Sequence, residues 1–415
     1  MDKLESVARN FHHYRLNSKT ADLYRTLPLL ESLDDEKVKP DLNILQRSKA
    51  LALLSEIERK VNNTVATRLF TSLGDVAFLR RQPEPISTKL KTFQKKVEKL
   101  GVPMDVMSSE SVLNSILAID DDITRMAIEL FLSKTLTPAK YFISGKVEPD
   151  QFAHYSLNLP LYTHFTAPLR RYSDHVVHRQ LKSIINGSEY KETVDALKIT
   201  SEYCNFKKDC AHHAQEQAIH LLLCKTTNDM GNQHGQILTL ATVLQVYESS
   251  FDVFIPELGI EKRVHGDQLP LVKAEFDMAE RVLELYWKKG VDSATFVPTD
   301  EQNPKSYRNS IKNKFNSSSK EIAVNQSVLQ NKLVSEEFSK ELKELNLIPP
   351  TLKLPKSNIE DALEKYLEVA VTRQEGDNNI QEIRELHQVP ILLRAEIGMA
   401  LPCLTVRALN PFMTS

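Results

Sequence analysis

The stretch His154–Leu181 reads HYSLNLPLYTHFTAPLRRYSDHVVHRQL and is rich in cationic and aromatic side chains. Its 28 positions hold four histidines, three arginines and three tyrosines. A forked guanidinium group binds a phosphate through two hydrogen bonds, and an aromatic ring offers a flat face for stacking. The composition of this stretch therefore indicates contact with a phosphate-bearing ligand, of which a phosphodiester backbone is the natural example.

Within this stretch the sequence predicts a helix that begins near Thr166. A threonine can cap the first free amides of a helix, and Pro168 is tolerated in the first turn because its missing N–H is not needed there. Arg170 and Arg171 then lie in the first turn, where exposed amides and the helix dipole favour an anion. An alternative remains, since Arg171 and Asp174 could each pair with the histidine four residues further on, which would make this a capped helix with internal pairs.

Helical periodicity dominates the residues before this stretch. Apolar residues recur at helical spacing near the start of the chain, a long helix is predicted from about 44 to 73, and another helical stretch from 108 to 135. Between them, 78–105 holds two prolines followed by an amphipathic helix with apolar residues on one face and lysines on the other. That basic face is typical of a solvated helix surface, and contact with RNA is the alternative.

Two clusters of polar residues raise the question of a metal site. Asp120, Asp121 and Asp122 form the only run of three aspartates. Neighbouring residues on a helix face different directions, however, and an aspartate at a helix start caps free amides. The helix predicted at 201–224 carries cysteines and histidines whose spacings match none of the usual zinc-ligand pairs. We therefore predict helix capping for the acids, buried thiols for the cysteines and no metal site.

From His234 the period of the sequence changes towards two. β-branched and aromatic residues alternate with polar ones between turn-forming residues, a pattern typical of a small barrel of the OB type. The pattern is interrupted at 303–320, which is basic and poor in apolar residues and so favours disorder. It returns at 367–372 and again at 381–396. The predicted organisation is a helix-rich domain at 1–228, a barrel at 233–396 with an insertion at about 298–362, and a tail at 397–415.

Composition is that of an ordinary folded protein of the cell interior. The 415 residues are 41% hydrophobic and 26% charged, with a net charge of −2 and 11 glycines, a scarcity that favours helices over turn-rich β structure. The four cysteines show no framework spacing and are expected to be reduced thiols. The chain opens without a signal peptide and has no apolar run of about 18 residues, so a cytoplasmic protein without membrane contact is expected.

The stretch His154–Leu181 closely resembles the signature of the ribonuclease II family, also called the RNB-domain family, whose members are processive 3′-to-5′ exoribonucleases. The family phrase TSPIRRY stands here as TAPLRRY at 166–172. Weaker matches are FLRRQPEP at 78–85 and SEIERKVNNTVA at 55–66, where charged residues at 58–60 replace apolar ones. VFIPELGIEKRV at 253–264 resembles a strand of the S1 RNA-binding barrel that closes these proteins. The ending VRALNPFM is similar to the fungal branch of messenger-RNA-binding members involved in cell-wall and polarity control.

The resemblance implies both a fold and a set of binding residues. The fold is α+β: the carboxy-terminal, helix-rich part of an RNB domain, followed by an S1-like OB-fold β-barrel with a long insertion. Arg170 corresponds to the arginine with which the family contacts the scissile phosphate, placing a cation where negative charge develops. The residues expected to bind RNA are His154, Tyr162, His164, Arg170, Arg171 and Tyr172.

Catalysis in this family needs two magnesium ions, held by the carboxylates of a DxxxxxDxDD-like phrase. Neither Asp34 and Asp35 nor the run Asp120–Asp122 has that spacing. The chain is therefore expected to be a carboxy-terminal piece of a family member, from a truncated reading frame or a split gene. It is expected to bind single-stranded RNA, messenger RNA included, without a cofactor.

Three functions remain open at this point. The first is a catalytically inactive RNA-binding protein with a role in post-transcriptional or translational control, similar to the pseudonucleases of the fungal branch. The second is a 3′-to-5′ exoribonuclease that uses Mg2+, with carboxylates supplied by a separate amino-terminal RNB half or by acids outside the expected spacing. The third is a non-functional or scaffold fragment, because half a domain exposes the face that its other half would cover.

Overall fold

A computed structural model gives the structure of residues 2–19, 21–30, 49–234, 237–293, 296, 366–397 and 402–413. Contacts divide the chain into two compact units, and the division falls between Glu216 and Gln217, inside a long helix. The first unit is built of helices around a short sheet, and the second contains two β-sheets. The insertion predicted at about 298–362 lies outside the described residues.

Helices of the first unit follow the apolar periodicity of the sequence. They are α1 (Asp2–Leu16), α2 (Lys49–Leu73), α3 (Ser87–Lys99), α4 (Ser109–Leu117), α5 (Asp122–Ser133), α6 (Tyr172–Ile185) and the first part of α7 (Val194–His234). Asp121 caps α5, because its carboxylate accepts a 2.8 Å hydrogen bond from the Thr124 amide. Hydrogen bonds from Thr124 also hold the pKa of Asp121 below its ordinary value. The capping role predicted for the aspartate run is confirmed for Asp121 alone, since Asp120 and Asp122 pair with arginines instead.

The core of the first unit surrounds a two-stranded antiparallel sheet, in which β1 (Phe78–Arg81) pairs with β2 (Lys140–Ile143). Apolar residues of α2 and α6 join this core, among them Leu69 and Val176, and each such side chain contributes about 1.5–3 kcal/mol by burial. Gln180 of α6 accepts a 3.0 Å hydrogen bond from the Phe78 amide and donates one of 2.6 Å to the Val76 carbonyl. These contacts fix α6, and the residues just before it, against β1.

The described part of the second unit contains two antiparallel β-sheets. Their strands are β3 (Ile237–Val246), β4 (Ser250–Ile255), β5 (Ile260–His265), β6 (Leu271–Asp277), β7 (Val282–Trp287), β8 (Thr372–Glu375), β9 (Asn378–Ile383), β10 (Gln388–Glu396) and β11 (Cys403–Ala408). The five-stranded sheet has the order β11-β10-β3-β4-β5, and the four-stranded sheet the order β6-β7-β9-β8. The end strands β5 and β11 contact each other, so the five-stranded sheet is nearly closed. The α+β class and the OB-type barrel predicted from the sequence are confirmed.

The barrel extends further along the chain than the sequence indicated. Strand β11 pairs with β10 from Ala408 opposite Ile391 to Cys403 opposite Glu396. The boundary placed at residue 396 is therefore too early, because part of the predicted tail completes the sheet. The β pattern assigned to 367–372 also needs correction, since the strand there begins only at its last residue, Thr372.

The cysteines differ in exposure. All four are free thiols: Cys224 is buried, Cys204 and Cys403 are half-buried, and Cys210 is exposed. The prediction of buried thiols is therefore wrong for Cys210, because it shares the outward face of α7 with Tyr203, which is also exposed. Within the described part of the chain, no helix combines the length and the apolar composition that a membrane span requires.

Candidate nucleic-acid interface

Helix α6 begins at Tyr172, six residues later than the start near Thr166 that the sequence indicated. The preceding residues form a tight turn in which the amides of Arg170 and Arg171 both donate to the Ala167 carbonyl at 3.2 Å. The amide of Ala167 in turn donates to the Asp174 carboxylate at 2.8 Å. Arg170 therefore lies in a turn and Arg171 at the cap position, and neither lies in the first helical turn. The helix begins later than predicted because Asp174 stabilises this turn.

Arg171 is engaged in a buried ion pair. Its Nε donates to Oδ2 of Asp174 at 2.7 Å and its Nη2 to Oδ1 at 3.1 Å, and the two residues are 6% and 0% exposed. Burial alone would raise the pKa of Asp174, but the hydrogen bonds and charge of Arg171 outweigh it and the pKa lies below its ordinary value. Arg171 thus uses its forked guanidinium on a carboxylate of its own chain. The internal pairing left open from the sequence exists, but with Asp174 rather than with His175.

The rings expected to stack on RNA bases are mostly in the core. His164 lies with Nδ1 2.6 Å from the Tyr141 hydroxyl, which also accepts a 2.9 Å hydrogen bond from Ser173. The Tyr162 ring lies edge-on to the rings of His154 and His164, with centroids 5.3 and 5.5 Å apart. All three of these predicted residues are at most 4% exposed, and they pack against each other rather than offering a free face.

The remaining two predicted residues are exposed and lie beside further polar side chains. Tyr172 is 57% exposed, and Arg170 precedes it on the surface. His175 and Arg179 follow Tyr172 at intervals of three and four residues, so they share its face of α6. The Arg179 guanidinium lies 5.8 Å from the Tyr172 ring centroid and pairs with Glu192 at 3.2 Å. We call Arg170, Tyr172, His175 and Arg179 the signature surface. Helical spacing from Tyr172 is the signal that could have identified the last two.

Carboxylates of the described residues do not form the ligand set that two magnesium ions need. Asp121 caps α5, Asp120 pairs with Arg25 at 3.2 Å, and Asp122 pairs with Arg125. Asp174 is held by Arg171. Across the described ranges, no group of three or more His, Cys, Asp or Glu side chains is placed to hold a metal ion. The described residues therefore do not fit the two-metal centre of ribonuclease II.

Two of the charged residues that replace the apolar family residues at 58–60, Arg59 and Lys60, contact other side chains of the first unit. Arg59 donates to the buried Glu56 carboxylate at 2.6 Å. The Lys60 ammonium lies 5.7 Å from the ring centroid of Phe11 and 5.6 Å from that of Tyr14, both on α1. The departure from the family phrase thus accompanies an ion pair within α2 and a cation–π contact between α1 and α2.

The sequence matches two protein-family models. Residues 1–187 match the RNB domain, and residues 235–322 match the DIS3-like exonuclease 2 C terminal. With the signature in front of α6 and the nearly closed barrel of the second unit, these matches show that the chain belongs to the RNB-domain family. The family predicted from the sequence is confirmed.

Similar proteins include fungal members of this family. Protein SSD1 of Saccharomyces cerevisiae is 62% identical over 418 residues, which cover 100% of this chain and 33% of the relative. Virulence protein SSD1 of Candida albicans is 50% identical over 449 residues, covering 98% of this chain and 35% of the relative. A solved structure described as yeast Ssd1, a pseudonuclease, aligns with a TM-score of 0.85 and 61% identity, covering 100% of this chain and 51% of the other. The chain thus spans about a third of the length of these curated relatives.

Proposed function

We propose that this chain binds single-stranded RNA, messenger RNA included, and does not cleave it. The observation that carries the proposal is the similarity of this chain, over its full length, to a protein whose solved structure is described as a pseudonuclease. Membership of a family of RNA-degrading enzymes supports RNA as the ligand class. A role in post-transcriptional or translational control and a cytoplasmic location are proposed with this function.

The signature surface supplies the chemistry for such binding. A guanidinium such as that of Arg170 holds a phosphate through two hydrogen bonds, and the exposed ring of Tyr172 offers a stacking face. Contacts to phosphates and to ring faces carry little sequence information. We therefore expect RNA binding with weak base preference, and we propose that binding itself needs no cofactor.

The family match favours one second candidate, a 3′-to-5′ exoribonuclease that uses Mg2+. The carboxylates described above are engaged in capping and ion pairs, so this candidate would need acids from elsewhere. A separate polypeptide that carries an amino-terminal RNB half is the partner that could supply them. The two candidates differ in one observable, the length of the RNA after incubation.

Gel analysis of a labelled RNA separates the candidates. The purified chain is incubated at low salt with a 5′-labelled single-stranded RNA, with and without magnesium, and each mixture is run on a native and a denaturing gel. We expect RNA that shifts on the native gel and keeps its length on the denaturing gel in both conditions. RNA shortened from its 3′ end only with magnesium would establish the exonuclease, and RNA that never shifts would support the scaffold interpretation.

A further inference from the structure

Helix α3 presents a strongly basic face that the signature surface does not include. Its 13 residues contain five lysines and a single acid, Glu98, in a chain whose net charge is −2. Phe93 and Val97 are buried and anchor one face of the helix. Lys91, Lys95 and Lys99 follow one another at intervals of four on the opposite, exposed face. We call these three residues the lysine row.

The lysine row lacks the counter-charges that accompany other cations of the first unit. Lys146 pairs with Asp195 at 2.9 Å, and Arg179 pairs with Glu192 at 3.2 Å. Within the described ranges, none of the three ammonium groups of the row pairs with a carboxylate. Glu98 accepts a hydrogen bond from Gln94 at 2.9 Å instead. Like charges at intervals of four residues repel one another on a helix, and among the described residues no carboxylate offsets this repulsion by pairing with the row.

We propose that the lysine row is a second RNA contact, which binds the phosphodiester backbone and not the bases. The inference rests on the proposed function, because it assigns a further surface to the same ligand. Successive lysines of the row are about 6 Å apart along the helix axis, from the rise of 1.5 Å per residue. Such a row matches a ligand with regularly repeated negative charges. Lysine acts there as a point charge without a fork, which suits a backbone bound without a fixed register.

Charge-neutralised variants test the proposal. The triple variant Lys91→Gln, Lys95→Gln, Lys99→Gln is compared with the intact chain in binding to a fluorescein-labelled oligouridine over a series of salt concentrations. We expect affinity about tenfold lower at low salt, and a slope of log affinity against log salt that is lower by about two, since each single-strand phosphate contact contributes about 0.7. The matched control replaces Lys19, Lys140 and Lys198, three exposed lysines of the first unit outside the signature surface and the lysine row, and should retain both affinity and slope.

The possible outcomes are distinguishable. Restoring the charge with Lys91→Arg, Lys95→Arg, Lys99→Arg should restore the salt slope, and thermal unfolding should show that all variants fold. If the intact chain and the glutamine variant bind RNA equally well, the proposal for the lysine row is overturned and the proposed function stands. An equal loss in the matched control would also overturn it, because total charge would then explain the binding. Failure of the intact chain to bind oligouridine at low salt overturns the proposed function together with this inference.

Discussion

Arg170 and Arg171 are neighbours in the chain, yet their surroundings are opposite. Arg170 is on the surface beside the exposed ring of Tyr172, whereas Arg171 is 6% exposed and holds Asp174 through two hydrogen bonds. The same contrast runs through the whole stretch, since His154, Tyr162 and His164 are buried and the signature surface is not. A motif rich in phosphate-binding residue types is therefore not a binding site throughout. The buried half, which comprises His154, Tyr162, His164, Arg171 and Asp174, supports the exposed half, which is the signature surface.

The largest effect is expected from breaking the buried half. Replacing Arg171 by alanine leaves the Asp174 carboxylate buried without its cation, and removal of one partner of a buried pair costs about 3–5 kcal/mol. The free energy of unfolding, measured with urea, should fall by that amount. The matched control is Arg170→Ala, one residue away on the surface, for which a change within about 0.5 kcal/mol is expected.

A double variant sharpens this first comparison. Arg171→Met combined with Asp174→Leu removes both charges, so no unpaired ion remains in the interior, and apolar replacement of a buried pair is often neutral. The double variant should therefore recover much of the stability that Arg171→Ala loses. Equal stability of Arg171→Ala and the intact chain would contradict a structural role for the pair.

The sequence predicted the elements better than the surroundings of individual side chains. The long helix near 44–73 and the alternating strands after His234 have the regular periods that burial of one face imposes, and both were found. The sequence does not predict that His154 and His164 are buried. A histidine that is hydrogen-bonded inside a core and a histidine in a binding site are the same residue type, so the sequence alone does not distinguish them. For Arg171 the sequence does contain a signal. Asp174 follows it by three residues, and a carboxylate at that spacing can pair with the arginine in the turn before a helix.

Strand β11 shows a second limit of sequence reading. Leu404, Val406 and Ala408 are buried at alternate positions, which is the period of a strand packed on one face. The pattern was visible, but the run is short and lies after the expected end of the barrel. Its strand state depends on pairing with β10, a tertiary contact that local sequence does not encode.

Acid should weaken the buried half in a predictable direction. The folded pKa of Asp174 lies below the ordinary value of about 3.9, so its carboxylate stabilises the fold above that pH and the contribution is lost as the pH falls through the folded pKa. The free energy of unfolding of the intact chain should decrease between about pH 5 and pH 3. The decrease should be shallower in Asp174→Asn, measured by urea unfolding at constant ionic strength. Parallel curves for the two proteins would mean that Asp174 titrates alike in the folded and unfolded states.

The smallest effect on stability, and the most specific effect on binding, is expected at the exposed half. Arg170→Ala removes the phosphate contact proposed for this side chain, so affinity for single-stranded RNA should fall at every base sequence, and the salt slope should decrease by about 0.7. Lys140→Ala, on an exposed residue at the start of β2 and so outside α6, is the matched control and should leave the slope unchanged. Arg170→Ala is expected to change the free energy of unfolding by no more than about 0.5 kcal/mol. Arg170 is therefore varied without Arg171, so that a loss of binding is not a consequence of unfolding. An unchanged slope in Arg170→Ala would show that the signature surface does not contact RNA. The expected effect of Arg171→Ala on stability would be unaffected by that result. The whole stretch would then act as structural support.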